Sequence, residues 1–474
     1  MTVRDTDAST ASELPRAVAT PDAGPATDPS TAGLLSSAHR ATTIGTFALV
    51  SLHAFEALAL TTVMPTIAAD LDGESLYAMA FTATLASGIV SIVWAGNLAD
   101  RRGPRPPLVI GLVLFAIGLV VAGLAPTMPV LVGARIVQGL GAGMTSTALY
   151  VLVTRVYPAR LHTAVLAGFS AAWVVPSIVG PFVAGLITET LGWRWVFGLS
   201  LVVLVVASVL LARILPGLAQ AVAPVPWRRP ALVAAAVLAV SVLVLNAAAE
   251  SLRVAGLVAA PFAVVALVLA VRRLTPPGTL TARSAIGTDV LVRALVFAAF
   301  SGAEIYLPRM LTERDGYGPV LAGVSLTFTG VAWFVGSSIQ GRWDSRFEVG
   351  RTVALGAACS AIGLLGIALI VALGGPAWAV IAVFPIVGFG IGTIYPRATA
   401  QALSRARTEE QGFVSSALQI GDAAGSATAI ALSAVVFTAV GTLLASSVPW
   451  AYAAVFAVMA VPALLAWLVA PRVR

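Results

Sequence analysis

The chain has 474 residues, 59% of them hydrophobic and 10% charged, with a formal net charge of +7 and a mean hydropathy of +0.96. An average soluble domain is about 25% charged, so this balance excludes a soluble globular protein and indicates a chain that crosses a membrane many times. All 28 basic residues are arginine, which suits a GC-rich genome, and without lysine the chain has no Walker-type phosphate loop of its own.

Residues 1–42 are rich in Ala, Thr, Asp, Ser and Pro and lack an apolar run, so a disordered cytoplasmic tail is expected, with no cleavable signal peptide before the first helix. A membrane helix needs about 20 predominantly apolar residues. Six such segments follow, at 43–66, 76–98, 107–125, 129–152, 162–187 and 194–213. A linker rich in Pro and Arg leads to two more, at 231–250 and 254–271, and a second link to a final six, at 288–311, 318–340, 351–373, 377–396, 411–440 and 449–470. The expected fold is an all-α integral membrane protein of fourteen spans: a six-helix bundle over 43–213, linkers and two inserted helices over 214–287, and a second six-helix bundle with a short tail over 288–474.

Arginine placement supports that count. With both termini inside, the cytoplasmic segments hold 21 of the 28 arginines, among them Arg101, Arg102, Arg105, Arg272, Arg273 and Arg351. Only Arg194, Arg253, Arg309 and Arg314 fall outside, and Arg135, Arg293 and Arg397 lie within spans. This asymmetry follows the positive-inside rule. The net charge therefore reads as loop charge rather than a nucleic-acid surface, for which no accompanying aromatic-basic platform is present. The single cysteine, Cys359, lies in an apolar run and reads as a small core residue.

Between the second and third segments stands GNLADRRGPR, Gly96 to Arg105. Its charge density keeps it out of lipid, Gly103-Pro104 makes a turn, Gly96 would allow close helix approach, and Asp100 offers a carboxylate to a neighbouring arginine or helix N-terminus. Gly96, Leu98, Asp100, Arg101, Gly103 and Arg105 resemble the loop motif G-x-L-x-D-R-x-G-R-K of the major facilitator superfamily, with Pro104 in place of a basic residue. The resemblance implies two six-helix halves around a substrate site at the midplane, with this loop as a conformational latch. GRWDSRFEVGR, Gly341 to Arg351, is a weak echo of it in the second half. The inserted pair resembles the fourteen-helix drug:proton antiporter branch.

Further motifs carry the resemblance. RIVQGLGAG, Arg135 to Gly143, is similar to the fourth-helix motif R-x-x-Q-G-x-G-A, which implies a part for Arg135 in proton transfer, with Gln138 beside it. PSIVGPFVAG resembles the antiporter motif ending G-P-x-x-G-G through Gly180, Pro181 and Gly185, with Ala184 and Pro176 departing from it. Its proline and small residues suit a pivot. WRWVF, Trp193 to Phe197, opens the next helix as in this branch, or serves as an interfacial anchor.

Glu56 is the leading candidate for the proton carrier. It precedes Pro65 by nine residues, the spacing of the acidic residue and proline in the antiporters' first-helix motif, though Glu replaces Asp and Leu58 and Thr61 replace Thr and Asn. It lies roughly 20 Å along its helix, deep in hydrocarbon, where ionisable residues mark function. A dry setting favours the neutral acid, while water or a nearby cation favours the carboxylate. His53, on the same face, is a candidate to tune it. Glu304 is a candidate second proton site or a counter-charge for a cationic substrate, and Asp422, a further proton-coupling candidate, forms a candidate polar cluster with Gln419 and Arg397, which with His53 and Gln138 are candidates to line the substrate cavity. Trp173, Phe328 and Trp333 are candidates for an aromatic substrate wall.

No hydrolase or metalloprotease motif is present, and the three histidines are too scattered for a metal site, so no enzyme, metal or cofactor is expected. The expected function is proton-coupled export of a small amphipathic compound across a bacterial cytoplasmic membrane by a protein working as a monomer, its partners being substrate, protons and the lipid bilayer. Uptake or export of a metabolite, lipid or nutrient is the alternative, and a non-transporting membrane sensor a remote one.

Overall fold

The computed structural model describes residues 33–473 except 37–38, 159–160, 162–164, 166–167, 170, 219–227, 252–253, 344–347, 408–409 and 444–447. Most of the expected tail, and part of the 341–351 loop, thus lie outside the described residues. The first helix starts at Arg40, so it takes in the last three residues assigned to the tail, and Thr42 is already buried.

The described residues are helical with short 3₁₀ turns and contain no strand. The first half comprises α1 (Arg40–Asp70), α2 (Tyr77–Arg102), α3 (Arg105–Gly123), α4 (Met128–Val156), α5 (Val174–Thr190) and α6 (Arg194–Ala212). An inserted hairpin follows, α7 (Arg229–Ser251) and α8 (Val254–Leu274). The second half comprises α9 (Ala285–Glu304), α10 (Tyr306–Glu313), α11 (Pro319–Trp343), α12 (Val349–Ala372), α13 (Ala377–Arg405), α14 (Gln411–Leu443) and α15 (Val448–Val469). Twelve helical stretches, α9 and α10 counting as one, are long and apolar enough to cross a membrane; α5 and α8 complete the fourteen rods. Many of these helices are apolar on every side. Leucines and valines such as Val202, Val205 and Val209 on α6 lie exposed, a surface that lipid solvates and water would not.

Each half is a bundle. In the first, α2 and α3 pack on α4, and α1 packs on α5 and α6; in the second, α11 and α12 pack on α13, and α9 packs on α14 and α15. The halves meet along two seams, α5 against α11 and α2 against α14. The inserted hairpin lies across the second seam, where Ala235, Leu238 and Val242 join Ile89 and Ile92 of α2 and Ile420 and Ala424 of α14 in one apolar cluster. Asn246 of α7, fully buried, donates to Thr82 Oγ1 of α2 at 2.7 Å, and the Arg228 backbone donates to Asn97 Oδ1 at 2.8 Å.

The α2–α3 turn is built as the sequence requires. α2 is capped by Gly103, whose φ of 78° and ψ of 177° suit glycine alone, and Pro104 then stands at the N-cap of α3. We call the end of the bundle carrying this turn the near end, and the opposite end the far end.

Candidate transport site

The first-half node lies inside its bundle. Glu56, midway along α1, and Arg135, on α4, are each 5% exposed, and Arg135 Nη1 stands 3.3 Å from Glu56 Oε2. Gln138, one turn along α4, accepts from Arg135 Nη1 at 2.9 Å and donates through Nε2 to Glu56 Oε2 at 3.2 Å. Arg135 Nε also donates to the Ala80 carbonyl of α2 at 3.4 Å. Glycine on α3 makes the room: a Cβ on Gly118 would stand 2.4 Å from Gln138 Cγ. Gly118→Ala is therefore expected to lower stability by about 1–3 kcal/mol through overpacking, seen as an earlier thermal unfolding in detergent.

His53 is not part of that node. Its Nε2 meets Thr145 Oγ1 at 3.2 Å and its ring stands edge-on to Phe115, so it serves the α1–α3–α4 packing instead of tuning Glu56.

The second half holds its own buried pair, and its partner differs from the candidate cluster. Arg293 of α9 donates to Asp422 of α14 through Nε at 3.0 and 3.1 Å and through Nη2 at 2.5 Å. Tyr395 donates to Asp422 Oδ2 at 2.9 Å and lies under the guanidinium, 3.9 Å from its ring centroid, while Thr399 Oγ1 accepts from Arg293 Nη1 at 2.6 Å. Arg397, on the same α13, is buried but is not the residue that pairs with Asp422 in this node. Gln419 points elsewhere: it accepts from Ser146 of α4 at 3.0 Å, a bond across the two halves.

Glu304 ends α9, partly buried, and no hydrogen bond to its carboxylate occurs among the described residues. Helical spacing puts it on one face with Phe297 and Phe300, which pack with Trp333 and Tyr395 in an aromatic cluster. Phe328 is not in that wall. It is 51% exposed and borders, with Trp378 and Pro385, an apolar depression of about 490 Å³ between α11 and α13. Trp173 stands at the start of α5, 41% exposed and two turns before Gly180.

Residues 46–430 match the family model described as Major Facilitator Superfamily. The chain belongs to that superfamily. A protein of Mycobacterium tuberculosis described as a probable multidrug-efflux transporter is 29% identical over 378 residues, 75% of this chain and 78% of that protein. The multidrug transporter protein MdtP of Bacillus subtilis is 32% identical over 159 residues, 34% of this chain and 29% of its own. Among solved structures, a POT family transporter in complex with 5-aminolevulinic acid shares the fold with a TM-score of 0.71 at 14% identity, covering 91% of this chain and 96% of that one.

The facilitator motif residues are placed as follows. Asp100 is exposed, and no hydrogen bond or ion pair engages it among the described residues; Arg105, also exposed, opens α3. Arg101 lies in the last turn of α2, just before Gly103. Gly96 has open space around it, contrary to the close approach expected there. The tight α2–α4 contact falls lower in the sequence pattern, at Gly139 and Gly143, where a Cβ would meet Ser87 Oγ at 2.1 Å and Ser91 Oγ at 2.0 Å.

The α5–α11 seam is also close, backbone against backbone. A Cβ on Gly185 would lie 2.6 Å from the Pro319 carbonyl oxygen, one on Gly323 would lie 2.3 Å from that of Pro181, and one on Gly330 would lie 2.3 Å from that of Ser177. Gly180 faces Phe55 of α1 instead. Trp193 is not an interfacial anchor: it is 4% exposed and donates to Asp70 at the end of α1 at 2.9 Å.

Proposed function

We propose that this major facilitator protein exports a small amphipathic compound across a bacterial cytoplasmic membrane in exchange for protons, working as a monomer with both termini in the cytoplasm. The buried Glu56–Arg135 pair carries the reading: an acid deep in the membrane span, held by a cation and an amide, is costly to keep and suited to cycling between protonated and ionised forms. When a proton neutralises Glu56, the attraction to Arg135 weakens, and α1 is freed relative to α4. Substrate and proton then compete for one conformational change, which is what coupling requires.

The description of the Mycobacterium tuberculosis relative as a probable multidrug-efflux transporter favours export over uptake. Glu304 beside the Phe297–Phe300–Trp333 cluster supplies a carboxylate and aromatic faces, a pairing that suits an amphipathic cation. The proton gradient is the energy source: at a membrane potential of about 150 mV one inward charge is worth roughly 3.5 kcal/mol, or two to three decades of substrate gradient at one-to-one stoichiometry.

The test uses inverted vesicles containing the folded protein, a pH dye and a panel of hydrophobic cations. Compound-dependent proton release is expected. Silence across the panel would overturn drug export and favour an endogenous metabolite or nutrient as cargo.

A further inference from the structure

The far end of the two halves is joined by a cluster that neither drug export nor the facilitator motifs account for. Its centre is Arg309 on α10, 8% exposed. The guanidinium reaches across to the first half, where Nη2 stands 2.6 Å from Glu74 Oε2 and Cζ lies 4.6 Å from the centre of the Tyr77 ring. On its own half Nε stands 2.7 Å from Glu313 Oε1, and Cζ lies 4.7 Å from the Phe437 ring. Tyr452 donates to Glu313 from α15. Tyr77 also donates across the junction, to the Ile305 carbonyl at 2.6 Å, the point where α9 breaks into α10. At the α5–α11 seam a second clasp adds to this, the Val320 backbone donating to Glu189 Oε1 at 2.9 Å.

We propose that Arg309, through Glu74 and Tyr77, is the latch that holds the far end shut, and that its bond to Glu74 breaks in each transport cycle. This rests on the transport reading only in requiring that the far end open. The distribution of charge distinguishes a latch from permanent glue. Arg309 has one carboxylate on each half, so when the halves part it keeps Glu313 and no buried cation is left uncompensated. Glu74, whose side chain is 50% exposed, passes into water at little cost. Glu56 and Arg135, and likewise Arg293 and Asp422, sit within a single half, so those pairs need not separate when the halves move apart.

The test places a reporter at the second clasp. A Cβ on Gly318 would stand 2.8 Å from Glu189 Oε1, so the two positions face each other across this clasp, and cysteines placed there, in a chain whose Cys359 is replaced by serine, report its closure by the rate at which they cross-link. The E189C/G318C pair is expected to oxidise readily with copper phenanthroline. Adding Glu74→Gln, which keeps Arg309 paired with Glu313, should slow that oxidation roughly two- to fivefold, the weight of a partly exposed ion pair. Glu348→Gln, at an exposed near-end pair, should leave the rate unchanged. Ethidium-driven proton release should stop in the cross-linked protein and return with dithiothreitol. An oxidation rate indifferent to Glu74→Gln, or undiminished ethidium-driven release from fully cross-linked protein, would overturn the latch. Absence of ethidium transport before cross-linking would count against the export reading instead, and the oxidation rates would still decide the latch.

Discussion

Glu56→Gln is expected to reduce compound-dependent proton release in inverted vesicles to the level of empty membranes, while exchange of the same compound across the membrane without a pH gradient continues. Glutamine keeps the shape of the side chain and an amide oxygen to accept from Arg135, so the node can close, but it has no proton to load or unload. Transport then runs only downhill. The variant also leaves the buried Arg135 without a carboxylate, held by the new amide oxygen, Gln138 and the Ala80 carbonyl, and losing one charge of a buried pair costs up to about 3–5 kcal/mol. The vesicle measurement therefore needs a thermal unfolding curve beside it. Arg135→Ala provides the contrast: it leaves Glu56 with Gln138 Nε2 as its α4 partner, and it should impair both exchange and proton release because the element that senses the carboxylate's charge is gone. Full proton release by folded Glu56→Gln would remove Glu56 as the carrier, and loss of exchange together with release would make its role structural.

The spans were legible because the lipid constraint is severe: a run of about 20 apolar residues has few other uses. Glu56, Arg135 and Gln138 were legible for the same reason, as polar groups in a setting that taxes them. The same rule applies to Arg293, which lies as deep in its span as Arg135, although no recognised motif surrounds it. Which carboxylate it meets was not legible at all. Asp422 lies 129 residues away in α14, and only the packing of α9 against both α13 and α14 decides that Arg293 rather than Arg397 reaches it. Aromatic residues misled in the opposite direction. A membrane helix is apolar on every side, so nothing in its periodicity separates Phe328, which faces outward, from Trp333, which turns to Phe300. Glycine spacing failed likewise at Gly96, because close approach is a property of two surfaces and the sequence prints only one.

The largest stability effect is expected at the second-half node. Arg293 ties three helices with bonds to Asp422, Tyr395 and Thr399, so Arg293→Ala removes the anchor of α9 on both α13 and α14 and strands Asp422 with Tyr395. A loss of about 3–5 kcal/mol follows from the uncompensated buried charge, with a cavity added where the long side chain lay. Asp422→Asn should cost less, because the neutral amide can still accept from Arg293 and the guanidinium retains its stacking on Tyr395. Replacing both charges by apolar residues of similar volume, Arg293→Met with Asp422→Leu, should recover most of the stability lost in the single Arg293→Ala variant, since a buried ion pair and a packed apolar pair are often close in energy. Thermal unfolding in detergent measures all three, and adding the single Arg293→Met and Asp422→Leu variants completes the cycle that isolates the coupling. If the double variant is stable and still releases protons when compound is added, the node is a structural tie. If it is stable and silent, the second half holds a charge that the transport cycle uses, and Asp422 joins Glu56 as a site where a proton is carried.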